Sequence, residues 1–159
     1  MELEQRSPDG SLVVYRDADG YRTLAAGRAF TAGEVVSPFA PRAVHEHPTY
    51  LTIQIGPGRH IELAPDLLQY CNHSCDPNAF FDIARGELVA LRAIGPGEAV
   101  TFFYPSTEWE MDRPFACHCG ASACLGTIAG AAQLGRAQLA GYRLAGHITA
   151  ALGVITAGT

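Results

Sequence analysis

The chain has 159 residues, a single-domain length that can bury a hydrophobic core. Its 48% hydrophobic and 17% charged residues exclude a disordered chain, and no apolar run nears the ~18 residues of a membrane span. A net charge of -5 opposes nonspecific binding to a phosphate backbone, so no direct nucleic-acid partner is expected, and it suits a cationic substrate.

All 11 basic residues are arginine, so no lysine of its own competes as a substrate. Residues 1–6 are acidic and lack the basic and apolar regions of a secretory signal, which makes a cytoplasmic protein the expectation. In chain order, residues 12–15 and 21–26 read as short strands around the turn signal Asp17-Ala18-Asp19-Gly20. Residues 38–48 carry three prolines and two histidines (His45 and His47) and read as an irregular surface connection. Residues 50–55 alternate, with Leu51, Ile53 and Ile55 on one side, and Gly56-Pro57-Gly58 turns the chain into a partner strand at 60–63. Pro65-Asp66 opens a helical turn leading to Tyr70. Strands follow at 80–83, 87–94 and 99–104, separated by Arg85-Gly86 and Gly95-Pro96-Gly97. From about residue 131 to 152 the chain is rich in alanine and leucine. Leu144, Ile148 and Leu152 recur every fourth residue, so a C-terminal helix with one apolar face is predicted. Gly135, Gly141 and Gly146 each weaken that helix by ~1 kcal/mol relative to alanine. Its apolar face either packs on the domain or forms a homodimer. The fold class is mostly β.

Five cysteines, Cys71, Cys75, Cys117, Cys119 and Cys124, cluster in a chain without a secretory signal, which favours metal ligation over disulfides. Cys117, Cys119 and Cys124 have the spacing C-x-C-x4-C, from which three thiolates converge on one tetrahedral zinc. Cys75, Cys71 and His118 are the candidates for a fourth ligand. Two further segments carry chemistry only in combination. Asn72-His73-Ser74-Cys75-Asp76-Pro77-Asn78 is a polar turn-forming stretch, and Gly97-Glu98-Ala99-Val100-Thr101-Phe102-Phe103-Tyr104 is an apolar strand ending in tyrosine.

In this order, N-H-S-C-x-P-N, G-E-x-x-T-F-x-Y and C-x-C-x4-C resemble the SET-domain lysine methyltransferases, over roughly residues 12–130. The stretch from Leu24 through Glu34 is similar to that family's opening segment, and Cys124-Leu125-Gly126-Thr127-Ile128 to the end of its post-SET zinc module. The resemblance implies small β-sheets with a pseudoknot, a SET domain over 1–112, a post-SET zinc segment over 113–130 and a helical tail over 131–159. It implies S-adenosylmethionine bound beside Arg22, Thr23, Asn72, His73 and Phe115, with Tyr104 aligning the acceptor amine. Phe102 and Trp109 would line the substrate channel, Phe102 leaving room for more than one methylation. It also assigns a structural Zn2+ to Cys75, Cys117, Cys119 and Cys124, and leaves Cys71 as a small buried residue. The acceptor is expected to be a protein lysine; the alternatives are a small amine, favoured by the short segment between Phe39 and Gly58 where the family builds its substrate groove, and a non-catalytic SET-fold binding module, favoured by the departure at Tyr21-Arg22-Thr23. In place of the family's Gly-x-Gly turn stands Tyr21-Arg22-Thr23, and Pro105 stands where a glycine commonly follows the tyrosine.

Overall fold

The computed structural model describes the backbone of residues 1–157 and the side chains of residues 1–153. The predicted tail to 159 therefore ends outside the described residues. The first seven strands are β1 (Glu2–Arg6), β2 (Leu12–Arg16), β3 (Arg22–Ala26), β4 (Val35–Pro38), β5 (Ala40–His45), β6 (Thr52–Gly56) and β7 (Arg59–Ala64). A 3-10 turn at Asp66–Tyr70 precedes β8 (Asn72–His73), β9 (Ala79–Asp82), β10 (Glu87–Ala90) and β11 (Thr101–Phe102). After a second 3-10 turn, Tyr104–Ser106, come β12 (Phe115–Ala116), β13 (Thr127–Ile128), a third 3-10 turn at Ala131–Gln133, α1 (Arg136–Leu139) and α2 (Gly146–Ala157). The strands form antiparallel sheets in the orders β1-β2-β3, β4-β10-β9 and β5-β7-β6, with the pairs β8/β11 and β12/β13 apart from them. No helix among the described residues is long and apolar enough to cross a membrane.

β1 and β5 form where the residue pattern carries little sign of a strand. β1 is largely exposed and pairs with β2, Glu2 opposite Arg16, so it is an edge strand carried by its neighbour. β5 occupies the predicted irregular connection. Its register shifts between Pro41 and Ala43, which lets an edge strand tolerate a residue without an N–H. The alternation of residues 50–55 does produce the β6/β7 hairpin, but Thr52 and Gln54 are buried as well as Ile53. Both faces of β6 are covered, the polar one by residues 108 and 109.

The strand expected over 99–104 is split. Ala26 and Leu24 of β3 pair with the segment before it (Ala26 N to Glu98 O, 2.9 Å; Val100 N to Leu24 O, 2.9 Å), β11 follows, and Pro105 turns the chain into a 3-10 turn at Tyr104. The main core gathers Leu24, Phe30, Leu68, Phe81, Leu88 and Phe102 from the sheets and the first 3-10 turn.

The single tail helix expected from 131 is broken into α1 and α2, and Gly141 and Gly146 lie at the break. The predicted face nevertheless survives. Leu144, Ile148 and Leu152 pack with Phe103, Trp109 and Leu139 in a second core, so the tail buries its apolar stripe against the domain. Tyr142 fixes the approach: its ring stacks on Phe103 at 3.6 Å between centroids, and its hydroxyl donates to the Cys75 carbonyl at 2.6 Å. Gly130, at φ 122, begins the tail where a Cβ would collide with the Trp109 carbonyl. Ile148 is completely buried. Ile148→Ala is expected to cost about 2–5 kcal/mol in urea denaturation as one cooperative transition. An unchanged midpoint would mean that the tail folds apart from the domain.

Candidate active site

The site is built on the short parallel pairing of β8 with β11, Thr101 opposite Asn72 and Phe102 opposite His73. Asn78 brackets the incoming strand. Its side-chain amide donates to Ala99 O at 2.7 Å, and its side-chain oxygen accepts from Thr101 N at 2.9 Å. Asn72 Nδ2 donates to the Arg22 carbonyl at 2.9 Å, joining β8 to the start of β3. His73 Nδ1 accepts from the Tyr104 backbone N–H at 3.1 Å. That bond leaves the ring proton on Nε2, which lies 3.3 Å from Cys75 Sγ. Burial holds His73 neutral by lowering its pKa to about 4.

Above this pairing lies a cavity of about 740 Å³ whose walls include Tyr21, Arg22, Asn72, His73, Tyr104 and Phe115. Ring centroids of Phe115 stand 5.8 Å from His73 and 5.9 Å from Tyr104. Burial drives the Tyr104 phenol well above its ordinary range, so at neutral pH it is a neutral hydroxyl that can donate a hydrogen bond. Phe102 sits edge-on to Phe81 at 4.7 Å and against Tyr104 at 4.7 Å, forming the inner wall. A cavity of this size, part aromatic and part polar, fits a nucleoside-sized cofactor with a slender side chain beside it.

Next to it, the sulfurs of Cys75, Cys117, Cys119 and Cys124 all lie within 4.8 Å of one another, with Cys75 and Cys117 at 3.9 Å. Zinc–thiolate bonds of about 2.3 Å in tetrahedral array require sulfurs about 3.8 Å apart, so the cluster fits zinc. Burial pushes the Cys75 thiol up to about 12. At Cys119 burial acts the same way, but the Ala121 backbone amide and the neighbouring thiols outweigh it and bring the thiol down to about 6. Of the competing fourth ligands, Cys71 is buried in the main core with its thiol toward Val100 O, and neither it nor His118 joins the sulfur cluster.

Residues 21–105, more than half of the chain, match the SET domain family model. The chain belongs to the SET-domain methyltransferases. Methyltransferase flvH of Aspergillus flavus is 40% identical over 148 residues, covering 91% of this chain and 83% of that protein. The Histone-lysine N-methyltransferase, H3 lysine-36 specific, of Chaetomium globosum is 40% identical over 78 residues, 45% of this chain but 9% of its own length. The crystal structure of KRYPTONITE in complex with mCHH DNA, H3(1-15) peptide and SAH shares the fold at a TM-score of 0.55 and 24% identity. It covers 73% of this chain and 29% of that one.

The structure brings Arg22, Asn72, His73, Phe102 and Tyr104 of the SET domain, and Phe115 after it, to one cavity. Two predicted residues lie elsewhere. Thr23 sits in the β2/β3 ladder opposite Tyr15, where strand pairing fixes it off the cavity wall. Trp109, expected in the substrate channel, packs in the second core with Phe103 and Ile148, because its backbone is clamped by Gln54 Oε1 at 2.9 Å. At the departure from Gly-x-Gly, Gly20 alone takes the left-handed turn, at φ 85. The Arg22 guanidinium is drawn off to Glu4 (2.6 and 3.0 Å), and the Arg22 carbonyl meets Asn72.

Several cavity residues carry no sequence signal, Glu108 among them. Glu108, 6% exposed, lines the same space. A lone carboxylate in a polar stretch reads as solvated surface, and no spacing distinguishes it. For the cluster, Cys119→Ser is expected to lower bound zinc from about one per chain to near none, and to weaken S-adenosylmethionine binding at least about tenfold. Elemental analysis and calorimetry measure both, and full metal retention would disprove the four-cysteine site.

Proposed function

We propose that this protein transfers a methyl group from S-adenosylmethionine to the ε-amine of a lysine side chain on a protein. The observation that carries this reading is Tyr104, held at the end of β11 by its N–H on His73 and facing a cavity that also receives Asn72 and Phe115. The cofactor, when bound, supplies an electrophilic methyl group on a sulfonium. What remains for the protein is positioning and desolvation.

Asn72, His73 and the Arg22 backbone form the cofactor side of the cavity, with Phe115 an aromatic surface for a flat ring. The Tyr104 hydroxyl, kept neutral, aligns the amine instead of serving as a base. An alkylamine with a pKa near 10.4 must arrive deprotonated or lose its proton on the enzyme, since only the free lone pair can attack. Phe102 leaves the inner wall without a hydroxyl to hold a water, which favours successive methylations.

A second reading, a free small amine as acceptor, is favoured by the segment between β4 and β7. It supplies only β5 and β6 and so leaves little groove for a polypeptide. The match to the Chaetomium globosum histone enzyme also covers only 9% of that protein. Incubating the protein and a cell lysate with methyl-tritiated S-adenosylmethionine separates the two. Label in the protein fraction supports the first reading and label in the small-molecule fraction the second, while label in neither refutes both. With whichever acceptor results, Tyr104→Phe is expected to lower kcat by about 100-fold or more with zinc and cofactor binding retained. Wild-type turnover would remove Tyr104 from the reaction. Phe102→Tyr is expected to shift the products, by mass spectrometry, toward fewer methyl groups per nitrogen.

A further inference from the structure

We propose that Glu108 receives the ammonium group of the amine substrate and takes its proton before methyl transfer. The proposal rests on the amine-methyltransferase reading above. Glu108 lies four residues after Tyr104, and its backbone N–H donates to Tyr104 O at 2.9 Å, so one tight turn presents both side chains to one cavity. Its carboxyl is almost completely buried, and no arginine or histidine pairs with it among the described residues.

Both of its hydrogen bonds fall on one oxygen. Oε2 accepts from Gln54 N at 2.9 Å and from Thr107 Oγ1 at 2.7 Å, and Oε1 accepts none from the described residues. Glu108 lines the cavity, which is the space left for a partner to Oε1. A buried carboxyl with one oxygen clamped and the other open to a cavity is a receptor for a cation or a proton.

The clamp is itself held. Gln54 Oε1 accepts from Trp109 N at 2.9 Å, and His147 Nε2 meets the Thr107 carbonyl at 2.7 Å, so β6 and α2 fix the carboxyl from two sides. Burial raises its pKa to about 7, where the carboxylate and the acid are both available at neutral pH. The titratable groups that share the cavity with it include Tyr21, Arg22, His73, Tyr104, Asp112 and Arg113, and His147 of α2, whose pKa burial lowers, lies behind Thr107. The two arginines are engaged elsewhere, Arg22 with Glu4 and Arg113 with Asp112.

The step balances without a co-reactant. The ammonium N–H bond breaks, its electron pair stays on nitrogen as the lone pair, and the proton bonds Oε1, turning the carboxylate into a neutral acid. That acid later returns the proton to solvent through the cavity mouth. A merely structural Glu108 would need only the acceptor oxygen that Gln54 and Thr107 bond, and glutamine provides one.

The test uses the zinc-loaded full chain saturated with S-adenosylhomocysteine. It is titrated by calorimetry with n-butylammonium, the end common to a lysine side chain and a small alkylamine, and with n-butanol as its neutral counterpart. The wild type is expected to prefer the ammonium by at least about tenfold, and E108Q to lose that preference with S-adenosylhomocysteine affinity unchanged. Equal preference in both proteins, or none in the wild type, overturns the proposal. A measurement on the wild type alone guards against a misfolded variant. Between pH 6 and 8 ammonium affinity should rise about tenfold as the carboxyl ionises, while n-butanol binding stays flat. A flat ammonium profile also overturns it. If the protein methylates an amine and E108Q keeps wild-type kcat/KM, the role of Glu108 fails and the methyltransferase reading stands. If the ammonium preference is present but no amine is ever methylated, the Glu108 site stands and the methyltransferase reading fails.

Discussion

Everything in the site hangs on the two-residue parallel pairing of β8 with β11. So short a ladder contributes little by itself, at about 0.5–1.5 kcal/mol net per hydrogen bond. It persists because side chains reinforce it: Asn78 grips the backbone at Ala99 and Thr101, Asn72 ties β8 to Arg22, and His73 ties it to Tyr104. Asn72, His73 and Tyr104, which close the junction, also line the cavity, and Asn78 holds the strand that leads to Tyr104. Fold and site are therefore one hydrogen-bond network, and a change at Asn78 that never touches a ligand would still displace Tyr104.

Most of this was legible in the sequence because its markers are local. The spacing of Cys117, Cys119 and Cys124 specifies a metal turn, the polar run from Asn72 and the strand ending at Tyr104 supply its complement, and the structure gathers them. What stayed hidden depended on distant partners. β1 has almost no apolar pattern and exists because β2 offers a free edge; β5 carries a proline that only its bulge excuses. Trp109 looked like a channel residue from its position between two motifs, yet Gln54, 55 residues away in sequence, holds it in the second core. The tail showed both sides of the matter. Its fourfold apolar spacing was readable, as were the glycines that break it, but not which of the two would prevail at each turn.

Glu108 has a cost as well as a proposed use. Its carboxyl stands at about 7 in the folded protein against an ordinary 4.5, so the folded state holds a proton that the unfolded chain releases. This group's effect on stability is most favourable below about 4.5 and is progressively lost as pH rises through 7. A residue chosen only for packing would not impose that slope. The clamp by Gln54 and Thr107 limits the penalty without removing it, the pattern of a polar group retained inside a core.

The thiol cluster joins Cys75 to a sulfur 42 positions further along the chain. A bridging metal therefore acts as a cross-link. By the loop-entropy relation for a covalent bridge, closing a loop of that length withdraws about 4 kcal/mol of conformational freedom from the unfolded chain. Much of the metal's stabilising effect would then reside in the disordered ensemble and be invisible in any native contact. Two preparations with and without the ion could share one folded geometry and still differ widely in how often they leave it.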